Sequence, residues 1–129
     1  MAYQVPGYKL TAHSAENDLS DDQFKFVEIS GENLVDVADD TTEIAIGVLQ
    51  NDPKEGQEAE VMVSGISKVV TQDDDISAGD LVTWNNDGEA TEANDEDYIV
   101  GIALADGVDG ETVLIPVLMY HMGVHTVEE

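Results

Sequence analysis

The side chains in this sequence with the most suggestive spacing for metal binding are two histidines near its end. His121 and His125 are four residues apart, and on a helix this spacing places two ligands on one face. Gly123 stands between them, however, and the segment follows a predicted strand. We therefore predict no metal site here, with a two-histidine zinc site as the alternative.

Two turns are rich in the carboxylate and amide oxygens that Ca²⁺ uses as ligands, residues 73–75 and residues 85–89. Neither fits an EF-hand loop, because Thr83 occupies the place of the first acidic ligand and Asn94 the place of the bidentate glutamate. The second turn contains Asp-Gly, which is typical of tight β-hairpins. We interpret both as solvated turns, with calcium binding left open.

Signals for catalysis are weak. Ser64-Gly65 lacks the flanking glycines of a nucleophile elbow, and no glycine-rich loop precedes a helical pattern. The chain has no cysteine, which excludes disulfides and thiolate metal sites. We predict a protein that is not an enzyme and that has no catalytic residue, cofactor or metal ion.

The charge balance excludes two classes of partner. The chain has 29 Asp and Glu residues against four Lys, and its formal net charge is -25. Affinity for nucleic acid and for anionic membranes comes mainly from basic side chains, so we predict neither partner. Self-repulsion of this size destabilises a compact chain unless salt screens it, which predicts a high-salt habitat.

The length and the apolar pattern predict one small all-β domain. The chain has 129 residues, and no apolar run approaches the roughly 20 residues of a membrane span or forms a signal-peptide core. Glycine- and Asp-rich turns separate roughly seven short strands or more, as in a small β-barrel or β-sandwich. We predict an extended N-terminal arm (1–22), a barrel domain (23–118) and a C-terminal tail (119–129).

One apolar hairpin occurs twice. Gly101 follows Gly47 by 54 positions, and a gap-free alignment also matches Val63 with Val117. The run around Gly47 is apolar on both faces, which indicates a strand that is buried on both sides or lines a closed barrel. A glycine there indicates a bulge or a close neighbour. We interpret the two hairpins as matching parts of one barrel, with chance similarity as the alternative.

Five stretches together resemble a known family: 45–51, 58–70, 77–83, 87–90 and 98–104. They resemble the small capsid decoration (cement) proteins of tailed viruses, and the match covers about residues 23–118. The resemblance implies a β-rich, commonly trimeric protein without a catalytic site, on the outside of an icosahedral head. The acidity departs from ordinary members and suggests a virus of a halophilic (haloarchaeal) host.

On this basis we expect a virion protein that is made in the host cytoplasm and binds the outer capsid surface. It would stabilise the capsid by bridging neighbouring major capsid protein subunits, as a homotrimer. The two ends of the chain are the expected sites of contact with the capsid or with another subunit. These contact residues are Tyr3, Val5, Tyr8, Leu10, Tyr120, Met122 and Val124.

Two other functions are open at this point. One is an extracellular β-module for calcium or carbohydrate in brine, where Trp84 and the tyrosines would form a sugar platform. The other is an acidic mimic of DNA. A mimic needs carboxylates in rows on one face, whereas here they cluster at turns.

Overall fold

The computed structural model describes residues 2–72, 76–94, 96–108 and 110–124, with no helix in these ranges. The all-β prediction is therefore confirmed. The strands are β1 (Val5–Pro6), β2 (Lys9–Ala15), β3 (Phe26–Gly31), β4 (Leu34–Val37), β5 (Gly47–Leu49), β6 (Glu58–Met62), β7 (Gly65–Thr71), β8 (Leu81–Trp84), β9 (Ala90–Glu92), β10 (Tyr98–Ala103) and β11 (Val113–Val124).

The strands form two closed five-stranded barrels, and both barrels connect their strands in the same order. Barrel I closes in the order β2-β4-β3-β5-β6. Barrel II closes in the order β7-β9-β8-β10-β11, and β1 is added beside β7. In both barrels the first and third strands of the repeat are parallel neighbours, and the other pairs are antiparallel. The chain is thus a tandem repeat of a five-strand unit.

The interpretation of the repeated hairpins as parts of one barrel is wrong, because β5 and β6 lie in barrel I whereas β10 and β11 lie in barrel II. The residue match also changes. Leu49 pairs with Val61, and Ala103 pairs with Val117, so the residue equivalent to Val117 is Val61 and not Val63. The second hairpin is two residues longer, and a shift of two keeps every side chain on its own face.

Gly47 and Gly101 are required by close packing, as predicted. A Cβ atom at Gly47 would lie 2.3 Å from the carbonyl oxygen of Met62. One at Gly101 would lie 2.5 Å from the carbonyl oxygen of Leu118. Each glycine therefore lets its strand approach the backbone of the partner strand at the equivalent place in its barrel.

The two hydrophobic cores share strands β3 and β5. Val27 and Leu49 face the core of barrel I, whereas Phe26 and Val48 pack in the core of barrel II. All three residues of β5 are buried, which confirms the prediction of a strand buried on both faces. Both strands of barrel I therefore contribute side chains to the contact between the barrels.

A short segment of barrel I is inserted into the wall of barrel II. The N–H of Val70 donates to the carbonyl oxygen of Phe24 (2.9 Å), and the N–H of Phe26 donates to the carbonyl oxygen of Gly88 (2.7 Å). Phe24 adopts a positive φ of 68° at this point. The insertion places the Phe26 ring, fully buried, in the interior of barrel II.

Both ends of the chain contain strands of the barrels. β2 lies within residues 1–22 and is a strand of barrel I, and β11 runs through positions 118 and 119 without interruption. The register of β2 against β6 shifts between Leu10 and His13. This irregularity interrupts the alternation of faces, which explains why the sequence shows no period of two here.

Candidate interaction surface

Four of the predicted contact residues are exposed. The exposed fractions are 45% for Tyr3, 49% for Val5, 65% for Tyr8 and 57% for Tyr120. Leu10 is different, because its side chain is half-buried against the core of barrel I. Exposed aromatic and aliphatic side chains that lie close together are typical of binding surfaces.

The remaining two predicted contact residues lie at the end of β11. The backbone of Val124 pairs with that of Tyr98, and Met122 belongs to the same strand. The side chains of Met122 and Val124 lie outside the described part of the structure. Their contacts stay a prediction.

The N-terminal residues are anchored to barrel II. Val5 pairs with Ile66 in the ladder between β1 and β7. Beside this pair, the side-chain oxygen of Gln4 accepts from the N–H of Lys68 (2.8 Å), and its amide nitrogen donates to Gln50 (3.0 Å). The Gln4 side chain thereby continues the ladder just before the first residue of β1, and Val5 occupies a defined place on the sheet.

One row of apolar side chains crosses the outside of barrel II. Val5 is opposite Ile66, Ile66 is opposite Leu118, Leu118 is opposite Ile102, and Ile102 is opposite Leu81. Residues directly opposite each other lie on one face of a sheet. All five are exposed or half-buried, so the row is accessible from outside.

Strand β11 extends this surface in both directions. Leu114 and Tyr120 lie on the same side of the strand as Leu118, and their exposed fractions are 39% and 57%. Pro116 lies between Leu114 and Leu118 along β11, and Lys68 of β7 is directly opposite it. We call the row from Val5 to Leu81, with Leu114 and Tyr120, the barrel II face. No carboxylate belongs to this set of side chains.

A separate cleft of about 400 Å³ is acidic. The rings of Trp84 and Tyr98 are 6.1 Å apart, and the indole N–H of Trp84 donates to the carbonyl oxygen of Asp39 (2.9 Å). The hydroxyl and the N–H of Thr41 both donate to the Asp39 carboxylate and hold its pKa below the ordinary value. The cleft is lined by Asp39, Asp40, Thr42, Glu43, Thr83, Trp84, Glu96, Asp97 and Tyr98. Its charge suits a cationic group.

Polar side chains of the turn at residues 85–89 bond to the turn itself. The side-chain oxygen of Asn85 accepts from the N–H groups of Asp87 (2.9 Å) and Glu89 (3.0 Å). The Glu89 carboxylate accepts from the amide of Gln72 (3.0 Å) and that of Asn85 (3.2 Å). These hydrogen bonds stabilise the hairpin. Glu89 is only 6% exposed, so its carboxylate is not one of the solvated groups that the sequence predicted at this turn.

The other residues considered as alternative metal ligands are only partly described. The His121 ring lies 6.1 Å from the ring of Tyr98. His125 and residues 73–75 lie outside the described residues. Within the described ranges, no three His, Cys, Asp or Glu side chains come together in an arrangement that could hold a metal ion.

The described part of the chain contains no helix long and apolar enough to cross a membrane.

The apolar row on barrel II includes residues that the sequence reasoning missed. Ile66, Ile102 and Leu118 were assigned only to strands, because an apolar residue at alternate positions usually indicates a core face. A comparison of the two repeats would have indicated this exposed surface. Where β6 has Glu58, the equivalent position of β11 has Leu114. An aligned repeat would have shown that one copy lacks its outward carboxylate.

Comparison with known proteins gives one family and one fold. A family model described as phage cement protein matches residues 7–118. A solved structure, the head fiber gp8.5 N base of bacteriophage phi29, is similar with a TM-score of 0.68 and 20% sequence identity. The similarity covers 92% of this chain and 98% of that one, and at this identity it shows the fold. No curated protein matches the sequence.

Proposed function

The chain belongs to the phage cement protein family, and we propose that it decorates the outer surface of an icosahedral capsid by bridging neighbouring major capsid protein subunits. The family match carries this proposal, since it spans strands of both barrels. Cement proteins are structural components of the virion and bind capsid proteins, which agrees with the prediction of a protein that is not an enzyme.

Bridging would stabilise the shell by mass action. A ligand that binds only the assembled lattice shifts the equilibrium toward that lattice. We also propose that the protein acts as a homotrimer, because several weak contacts on one particle give a high overall affinity. Light scattering on the purified protein should then give three times the mass of one chain, and a monomer would contradict the trimer.

The proposed contacts with the capsid or with another subunit are those at the two chain ends. The exposure of Tyr3, Val5, Tyr8 and Tyr120 supports this assignment. The half-buried Leu10 and the end of β11, with Met122 and Val124, complete the proposed set.

Purified virions test the proposal directly. Quantitative mass spectrometry should find this chain in a fixed copy number relative to the major capsid protein. In addition, heads that lack the protein should take it up from solution and resist heating better afterwards. Absence of the chain from virions would reject the proposal.

We propose further that the virion works in concentrated salt. With a net charge of -25, electrostatic repulsion within the fold decreases as the screening length falls from about 8 Å at physiological salt to about 3 Å at 1 M. The melting temperature should therefore rise between low and molar salt. An unchanged melting temperature would contradict a halophilic host.

A further inference from the structure

We infer that the barrel II face is the surface that docks on a capsid subunit, and that its partner is an apolar patch with basic side chains along one edge. This assignment rests on the proposed function and specifies which part of the molecule performs it. Equivalent positions in the two barrels can be compared directly, because the same fold surrounds them.

The fold does not require an apolar residue at position 114, which extends the face. Met62 of β6 is equivalent to Leu118 of β11, because they pair with equivalent residues of β5 and β10. Four residues earlier, β6 carries Glu58, whereas β11 carries Leu114. Glu58 is exposed, so the barrel accepts a carboxylate there. In a chain this acidic, Leu114 is a departure that the fold does not explain.

The row of the barrel II face that runs through Leu118, Ile102 and Leu81 has an equivalent in barrel I, and that equivalent is buried. In barrel I the equivalent row includes Phe26, Val48 and Met62, whose exposed fractions are at most 1%. Phe26 and Val48 are covered by barrel II. In barrel II the equivalents of Phe26 and Val48, Leu81 and Ile102, are only half-buried. The row that barrel I buries in a protein contact is therefore still accessible in barrel II.

The charges around the face determine the chemistry of the partner. Lys68 is the cation beside the row, and its Nζ lies 5.4 Å above the centre of the Phe24 ring. Asp80, Asp106 and Glu111 lie in the loops at the end where β10 stops and β11 begins. An apolar centre with acidic loops at one end fits an apolar patch with Lys or Arg along the matching edge.

A second copy of this chain fits the face less well. Two copies that met through it would have few cations to place opposite the acidic loops, because each chain has four Lys against 29 Asp and Glu. Like charges placed opposite each other weaken association and exclude wrong partners. A basic rim on the capsid subunit has no such penalty.

Two double variants with the same change of charge test the inference. Leu114→Glu with Tyr120→Glu adds two carboxylates to exposed positions of the face. Ile29→Glu with Ile44→Glu is the control, because these side chains are also exposed (46% and 51%) and lie outside the face. Uptake of each purified, folded variant by heads that lack the protein would be measured, with circular dichroism to verify folding.

The face variant should bind about 100-fold more weakly, because a buried contact would have to desolvate two unpaired carboxylates. The control should bind like the wild type. Equal binding by the face variant would overturn the inference while the proposed function stood. Failure of the wild type to bind would instead reject the proposed function. If the face variant bound heads normally but lost an oligomer present in the wild type, the face would be a contact between copies and the inference would fail.

Discussion

Barrel I and barrel II have the same strand order but close their walls differently. In barrel I, the N–H of Ser14 donates directly to the carbonyl oxygen of Asn33 (2.8 Å). The equivalent groups of barrel II are the N–H of Val70 and the carbonyl oxygen of Gly88, and both bond instead to residues 24–26 of barrel I. Asn33 and Gly88 adopt similar positive φ angles of 58° and 74°, which supports the equivalence.

The difference shows how a duplicated unit becomes one folded body. Barrel I completes its own wall, whereas barrel II depends on barrel I both for hydrogen bonds and for the Phe26 ring in its core. Such a shared core couples the unfolding of the two repeats. Barrel I buries Phe26 and Val48 against barrel II, whereas the equivalent residues of barrel II, Leu81 and Ile102, stay accessible to another protein.

The largest expected effect comes from removing this dependence. Phe26→Ala should lower the free energy of unfolding by about 3–5 kcal/mol, because it leaves a cavity in the core of barrel II. The matched variant is Leu81→Ala, at the equivalent and half-buried position of barrel II, with an expected loss of about 1–2 kcal/mol. Urea denaturation measures both. Equal losses would show that the two rows are not used differently.

The close approach of the hairpin strands should be equivalent in the two barrels. Gly47→Ala and Gly101→Ala each place a Cβ atom within 2.5 Å of a carbonyl oxygen, so each should cost about 1–3 kcal/mol of stability. In the control Gly31→Ala, the new atom would meet only the flexible side chain of Leu34, at 3.2 Å. Thermal denaturation compares the three. A neutral Gly101→Ala would mean that only barrel I needs the approach.

The smallest effect concerns the pKa of Asp39 in the loop between β4 and β5, where the hydrogen bond from the Thr41 hydroxyl is the main cause of its lowering. Thr41→Val should raise this pKa toward the ordinary value in an NMR titration. A carboxyl group whose pKa is lowered by folding stabilises the folded protein at pH values above its ordinary pKa. This contribution is lost as the pH falls through the pKa of the folded state. The matched site is Asp18, whose pKa is lowered by hydrogen bonds from Ser20. Thr41→Val should leave the pKa of Asp18 unchanged.

The sequence alone was sufficient for local structure. Alternating apolar residues and Gly- and Asp-rich turns predicted an all-β protein, and the apolar run around Gly47 predicted a doubly buried strand. The repeat was visible at Gly47 and Gly101 because both glycines meet the same steric requirement. The structure exposes four residues of the predicted contact set, Tyr3, Val5, Tyr8 and Tyr120. Their role in binding stays a prediction.

Tertiary structure decided which strands belong together. A period of two tells which residues share a face, but not which sheet or barrel that face belongs to, because pairing partners lie far apart in the chain. Hence the two hairpins, which look like parts of one barrel, belong to two. Phe26 and Leu81 both read as strand residues, yet one is buried by the other barrel and the other lies on an open surface. Only the packing of one repeat against the next creates that difference.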